Sequence, residues 1–417
     1  MNALLALPVE VCLAGVFVLG LVAGSAVNWA IYSLAWFPRQ ISPWAGPHER
    51  APPRHWTDRL PVIGWLGLAR ERELHGRWFW LRPPLVELAM AAGLAGLYYW
   101  EVEKHGLVAP APPLPAPALL TMLHAQFLAH AILIWLMTAA TFIDFDEKTI
   151  PDSITIPGAL LALALAVGLP QSHLPMHVPL PAGAGWTLGN LSFASPDPFP
   201  PWPHTWRGPL LASLGFCAWC AALVPATATL RRGWVKAVQF YAASIARGSA
   251  WGPLLALAVG GCGAIWGVWL VGGPRWESLY SAIVGLVFGG ALIWAVRIVG
   301  TMALREEAMG FGDVTLTAMI GAFLGWQSAL IVFFLSPAAA LFVAVAQWVF
   351  TGRRDIAFGP YLCVAAVYLI VRWKAVWDYA AGIFQMGPLV LAILAVCLTL
   401  MLGLLMLMRI MRQLLQG

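Results

Sequence analysis

The sequence predicts an all-α fold, a polytopic transmembrane bundle of about 8–11 helical spans. Three observations carry that prediction. Of 417 residues, 60% are hydrophobic and only 10% charged, where a soluble chain carries about 25% charged residues. Apolar runs long enough to cross a ~30 Å hydrocarbon layer recur from end to end. The alternating strand-length segments of a membrane barrel are absent.

Spans are expected near residues 8–36, 84–100, 118–143, 154–171, 208–230, 251–272, 277–300, 314–333, 335–351, 357–372 and 385–411. The first of these has no Lys or Arg ahead of it and no small-residue cleavage site behind it. It therefore reads as a retained span, with region 1–36 as its extent.

Region 37–83 is a basic loop holding Arg39, Arg50, Arg54, Arg59, Arg70, Arg72, Arg77 and Arg82, which places it in the cytoplasm. The same orientation puts Arg231, Arg232, Lys236, Arg297, Arg305, Arg353, Arg354, Arg409 and Arg412 in or beside cytoplasmic segments. The opposite side keeps only Lys104 and Arg207 in segments 101–117 and 172–207, with Arg275, Arg372 and Lys374 as exceptions. The net charge of +5 fits basic loops at a membrane and gives no reason to expect nucleic acid.

Regions 84–171 and 305–334 each carry an acidic motif between spans. Between them, region 172–304 contributes an outer loop rich in Pro, Gly and aromatics (172–207) and extra spans, and 335–417 supplies the C-terminal spans. Cys217 and Cys220 form a C-x-x-C inside an apolar stretch, without a second pair, and are expected to be packing residues.

Acids beside membrane spans are costly unless solvated, paired or used. In TFIDFDEKTIPDSIT (141–155), Asp144, Asp146, Glu147 and Asp152 are expected at a turn between spans, with Asp144 deepest. Asp152 or Ser153 would cap the next helix. In REEAMGFGDVTLTAMIGAFLGW (305–326), Gly310 and Gly312 bracket Phe311 just before Asp313. Arg305, Glu306 and Glu307 read as a solvated turn.

The charge-derived topology puts Asp144 and Asp313 on the same membrane face. Two close carboxylates cannot both ionise, so such a pair shares a proton and can do aspartic protease chemistry. Acids in turns are also ordinary caps, and a lone G-x-G-D is a weak signal. On composition alone a transporter, a scaffold and a protease all stay open.

The combination of motifs narrows this. IDFDEKTIPDSIT resembles the first aspartate motif of type IV prepilin peptidases, and MGFGDVTLTAMIGAFLGWQ resembles their G-x-G-D motif. GSAVNWAIYSL (24–34), RLPVIGWL (59–66) and LRPPLVELA (81–89) are similar to three further blocks of that family, in family order.

The resemblance implies a membrane-embedded aspartic endopeptidase that removes basic leaders from prepilin or pseudopilin-like precursors. It implies Asp144 and Asp313 as the catalytic pair, with Asp146, Asp152, Gly310 and Gly312 in support. The bacterial inner membrane, an active site facing the cytoplasm, lipid, and pilus or type II secretion machinery as partners are the matching expectations. Many bacterial relatives bind zinc through two C-x-x-C pairs in the first loop and methylate the new amino terminus with S-adenosylmethionine. Loop 37–83 has no cysteine, and its His48, His55 and His75 read as solvated. Zinc is therefore not expected, no cofactor is expected for proteolysis, and S-adenosylmethionine is left open. A non-catalytic scaffold that binds pilin-like helices is the alternative reading.

Overall fold

The computed structural model describes residues 8–108, 115–179, 186–224, 251–305, 309–351 and 358–416. The basic positions Arg231, Arg232, Lys236, Arg353 and Arg354, the end of the expected span 208–230, and Glu306 and Glu307 lie outside the described residues.

Among the described residues, the regular structure is helical apart from one hairpin. In order, the helices are α1 Val9–Ser33, α2 Ile63–Leu68, α3 Arg72–His75, α4 Arg82–Tyr98, α5 Ala116–Glu147, α6 Asp152–Gly168 and α7 Arg207–Ala222. They continue with α8 Trp251–Val271, α9 Gly273–Leu304, α10 Phe311–Leu324, α11 Trp326–Thr351, α12 Gly359–Val371, α13 Trp373–Phe384 and α14 Pro388–Gln416. By length and hydropathy, α1, α5, α8, α9 and α14 can each cross a membrane. The pair α12 and α13, bent by 98°, can make a sixth span. The helices α6 and α10 and the first part of α11 are apolar but shorter.

The polytopic helical bundle stands, with spans divided differently from the sequence expectation. Gly325, at φ +88, ends α10, so the expected span 314–333 breaks there. Only glycine takes that backbone conformation without cost. Beyond it, α11 runs without interruption through Pro337, and the expected break before 335 is absent.

Two interfaces set the frame. α1 lies along α4 and α9 along α10, in both cases through small residues. A Cβ added at Gly285 would collide with the carbonyl of Gly321, and one at Gly321 with that of Gly285. Backbones that approach this closely replace the missing hydrophobic drive between helices in lipid with dispersion contact. Between α6 and α7, β1 (Pro175–Pro179) pairs antiparallel with β2 (Trp186–Asn190), an ordered element within the expected outer loop. Trp373 Nε1 donates to Pro175 O at 2.7 Å and Gln327 Nε2 to Ser192 O at 2.8 Å, tying this loop to α13 and α11.

Candidate functional site

α5 ends in three acids, Asp144, Asp146 and Glu147. The partial negative charge at a helix C-terminus disfavours carboxylates there, so each needs its own partner. The three find different ones. Arg82 Nη1 donates to both oxygens of Asp146, at 2.8 and 3.0 Å. Glu147 accepts the Trp36 and Phe37 N–H groups at 2.7 and 3.1 Å. Asp144, only 5% exposed, packs against Gly359 at the start of α12, where a Cβ would lie 2.7 Å from its Oδ2. The acids expected in a turn thus occupy the last turn of the helix. Lys148, in the left-handed conformation, closes it by donating its N–H to Asp144 O at 2.9 Å.

Asp313, 8% exposed, stands three residues after Gly310, which is the N-cap of α10. Its carboxylate lies beside Gly310, where a Cβ would sit 3.7 Å from Asp313 Oδ2. From this third helical position an acid can face the orphan donors of a helix start. The spacing of G-x-G-D therefore has a local cause. Gly312 has another: a Cβ there would sit 2.8 Å from Ile150 Cβ and 3.1 Å from Ile150 O. Ile150 follows α5 and is buried, so this close approach docks α10 on the segment joining α5 to α6.

The two aspartates come together. Gly312, next to Asp313, and Gly359, against Asp144, both pack on Ile150, which brings the two carboxylates into one neighbourhood. Asp152 sits beside the pair rather than in it. It is exposed, opens α6, and lies within reach of the Thr315 hydroxyl. Thr155 Oγ1 donates to Thr315 Oγ1 at 3.0 Å, and Thr315 Oγ1 donates to Gly312 O at 3.1 Å, joining α6 to α10. The expected cap from Asp152 or Ser153 is not made: Pro151 occupies the N-cap and no side chain bonds there. Sequence reasoning missed Gly359 and the Thr155–Thr315 bond. A Gly-Pro pair opening an apolar run, as in FGPYL, was the available signal for α12.

The amino-terminal blocks meet elsewhere, on Glu87. This fully buried carboxylate accepts Ser25 Oγ at 2.8 Å, Asn28 Nδ2 at 3.1 Å, Trp65 Nε1 at 2.9 Å and the Val62 N–H. A carboxylate has about four acceptor sites, and four donors converge here, three on Oε1 and one on Oε2. Nearby, Arg54 grips Glu71 through two bonds of 2.8 Å, and Arg70 pairs with Asp58. His75 contacts Glu71 at 3.2 Å and packs on Phe79, so it is not the solvated residue expected, whereas His48 and His55 are exposed. In the C-x-x-C, Cys220 is buried and Cys217 lies 3.4 Å from Cys262 of α8.

The type IV leader peptidase family matches residues 131–194 and 240–345, stretches that hold Asp144 and Asp313 respectively. The chain is 33% identical over 107 residues to a prepilin leader peptidase/N-methyltransferase of Aeromonas hydrophila, covering 25% of this chain and 36% of the relative. It is 33% identical over 99 residues to the protein of that name from Pseudomonas aeruginosa, covering 23% and 34%. The Escherichia coli protein of that name is 29% identical over 92 residues, covering 22% and 41%. The matches thus span roughly a third to two fifths of the relatives' own length. No solved structure matches the chain. Over the stretches that carry its two buried aspartates, this multi-pass helical protein is related to the type IV leader peptidases.

Proposed function

We propose that the protein is an aspartic endopeptidase of the bacterial inner membrane, cleaving prepilin or pseudopilin-like precursors at the cytoplasmic face. The observation that carries this reading is the meeting of Asp144 and Asp313, both buried, from segments 169 residues apart in sequence. Burial of two acids that form no ion pair among the described residues is an expensive arrangement, and expense of this kind concentrates where groups are used.

With one proton shared by the pair, the ionised carboxylate takes a proton from water as the oxygen adds to the peptide carbonyl carbon. The protonated carboxyl gives its proton to the carbonyl oxygen. Collapse of the tetrahedral diol breaks the C–N bond, the new amine takes a proton from the pair, and the leader leaves with a new carboxylate. The pair titrates as a unit, so acid and base are not assigned separately. This scheme draws on no cofactor and no metal.

A short basic leader followed by an apolar helix suits the site: the leader stays in water beside loop 37–83 while the helix remains in lipid. Pilus or type II secretion assemblies are the partners this implies, and nucleic acid has no place in it. We assign the amino-terminal blocks around Glu87 a structural role, because four donors from within the chain converge on that buried carboxylate.

The test uses purified protein in lipid with a tagged basic-leader precursor, following cleavage and the mass of the new amino terminus. Cleavage that falls by roughly 10²–10⁴ in Asp144→Asn and in Asp313→Asn supports the peptidase. Precursor binding without cleavage by the wild-type protein would replace it with the scaffold. A gain of one methyl group when S-adenosylmethionine is added would contradict the structural assignment of the amino-terminal blocks.

A further inference from the structure

The third carboxylate partner at the end of α5 has a consequence for the site. Asp144 lies against Gly359, which opens α12 and lies beyond the stretches matched by the leader peptidase family. The first N–H groups of a helix have no partner within it, and Pro360, next in the chain, has no N–H to offer. Gly359 is thus one of the few donors this helix end can present, and it lies against a carboxylate.

Space is as restrictive as the bond. A Cβ at Gly359 would lie 2.7 Å from Asp144 Oδ2 and 2.7 Å from Ile150 Cδ1. Gly359 is not among the positive-φ residues, so its backbone conformation is open to alanine and only the missing room excludes a side chain. One turn along the same helix, Cys363 is buried as well. Ile150 also meets Gly312, so α12 closes on the same residue that docks α10.

We propose that Gly359 is a positioning residue for proteolysis: its N–H fixes the Asp144 carboxylate, and its lack of a side chain lets α12 seal that side of the aspartate pair. The inference rests on the peptidase reading. Any side chain at 359 displaces either the carboxylate or the helix, and small displacements of a catalytic group are costly in rate.

The experiment compares full-length protein in lipid as wild type, Gly359→Ala, Gly359→Ala with Ile150→Val, and the two aspartate-to-asparagine variants. Gly359→Ala is expected to lower kcat on the order of 10²-fold with KM nearly unchanged, and Ile150→Val is expected not to restore it, since the contact with Asp144 Oδ2 remains. Wild-type kcat in Gly359→Ala, or recovery on adding Ile150→Val, overturns the proposal, the second by showing that packing on Ile150 was the whole effect. A readout that does not depend on the alanine variant folding is the Gly359 amide resonance. Protein labelled with carbonyl-13C Phe and 15N Gly reports only the Phe-Gly pairs, at 288–289, 311–312 and 358–359. The 359 amide shifts in Asp144→Asn if the bond exists, and an unmoved resonance overturns the proposal. Full cleavage by Asp144→Asn with a shifted amide would instead sink the peptidase reading and leave the bond intact.

Discussion

Two sets of buried carboxylates in this molecule are treated in opposite ways. Glu87 receives four hydrogen bonds from α1, α2 and the turn before it. Asp144 and Asp313 have no side-chain hydrogen-bond donor among the described residues and lie on either side of Ile150, beside Gly359 and Gly312. An acid that accepts four hydrogen bonds is held in one position, and it organises its surroundings. An acid left short of partners beside a second acid is poised to exchange protons. The difference separates a structural hub from a chemical site without appeal to either motif.

The comparison can be broken at its strong end. Glu87→Ala strands several buried donors, and is expected to lower unfolding stability on the order of 3–5 kcal/mol. Asp144→Asn and Asp313→Asn should leave stability in detergent close to wild type. Thermal unfolding followed by size-exclusion retention measures both, and equal losses at the two sites would erase the distinction drawn here.

A smaller effect is expected at the contact that docks one aspartate helix. Gly312→Ala must push on Ile150 backbone and side-chain atoms at 2.8 to 3.2 Å, which should cost about 1–3 kcal/mol as overpacking and slow precursor cleavage. Unchanged melting and cleavage would show that α10 is not seated by this contact.

The segment joining α6 to the hairpin offers a pH signature that sharpens the comparison. Burial, with His130 adding to it, pushes the His173 pKa down to about 4 from 6.5. Its ring Nδ1 meets Ser278 Oγ at 3.0 Å. The unfolded chain binds the proton first as pH falls, so this residue's share of stability is complete above about 6.5 and is lost progressively toward about 4. His173→Gln should flatten the pH dependence of melting across that window. An identical slope in wild type and variant would contradict the neutral, buried ring.

The smallest effect belongs to Arg82 and Asp146. Their bidentate pair lies at the surface, and exposed pairs contribute about 0.2–1 kcal/mol. Asp146→Asn should barely alter melting or cleavage. Loss of cleavage comparable to that of Asp144→Asn would move the proposed pair to Asp146.

Much of this was legible in the sequence because it rests on composition and local spacing. Long apolar runs gave the helical membrane class, and Lys and Arg counts alone put Asp144 and Asp313 on one face. The G-x-G-D spacing is local too, an N-cap glycine with an aspartate at the third helical position. What escaped depends on distant segments. Nothing in VNWAIY, PVIGW or LVELA says that Asn28, Val62, Trp65 and Glu87 meet, although each block stood out singly. Gly359 was missed because its requirement is steric, set by Asp144 and Ile150 more than two hundred residues earlier. The misplaced breaks in the later spans have a simpler cause: the positive φ at Gly325 and the continuity of α11 through Pro337 are tertiary outcomes in a uniformly apolar run.

The most direct test of the central claim is whether Asp144 and Asp313 act as one unit. Cleavage of a basic-leader precursor in lipid should be measured for each asparagine variant and for the double variant, with folding checked in parallel. Residues that share one proton and one step are non-additive, so the double variant should be no slower than either single one. Independent, multiplying losses, or full activity in a folded single variant, would contradict the account.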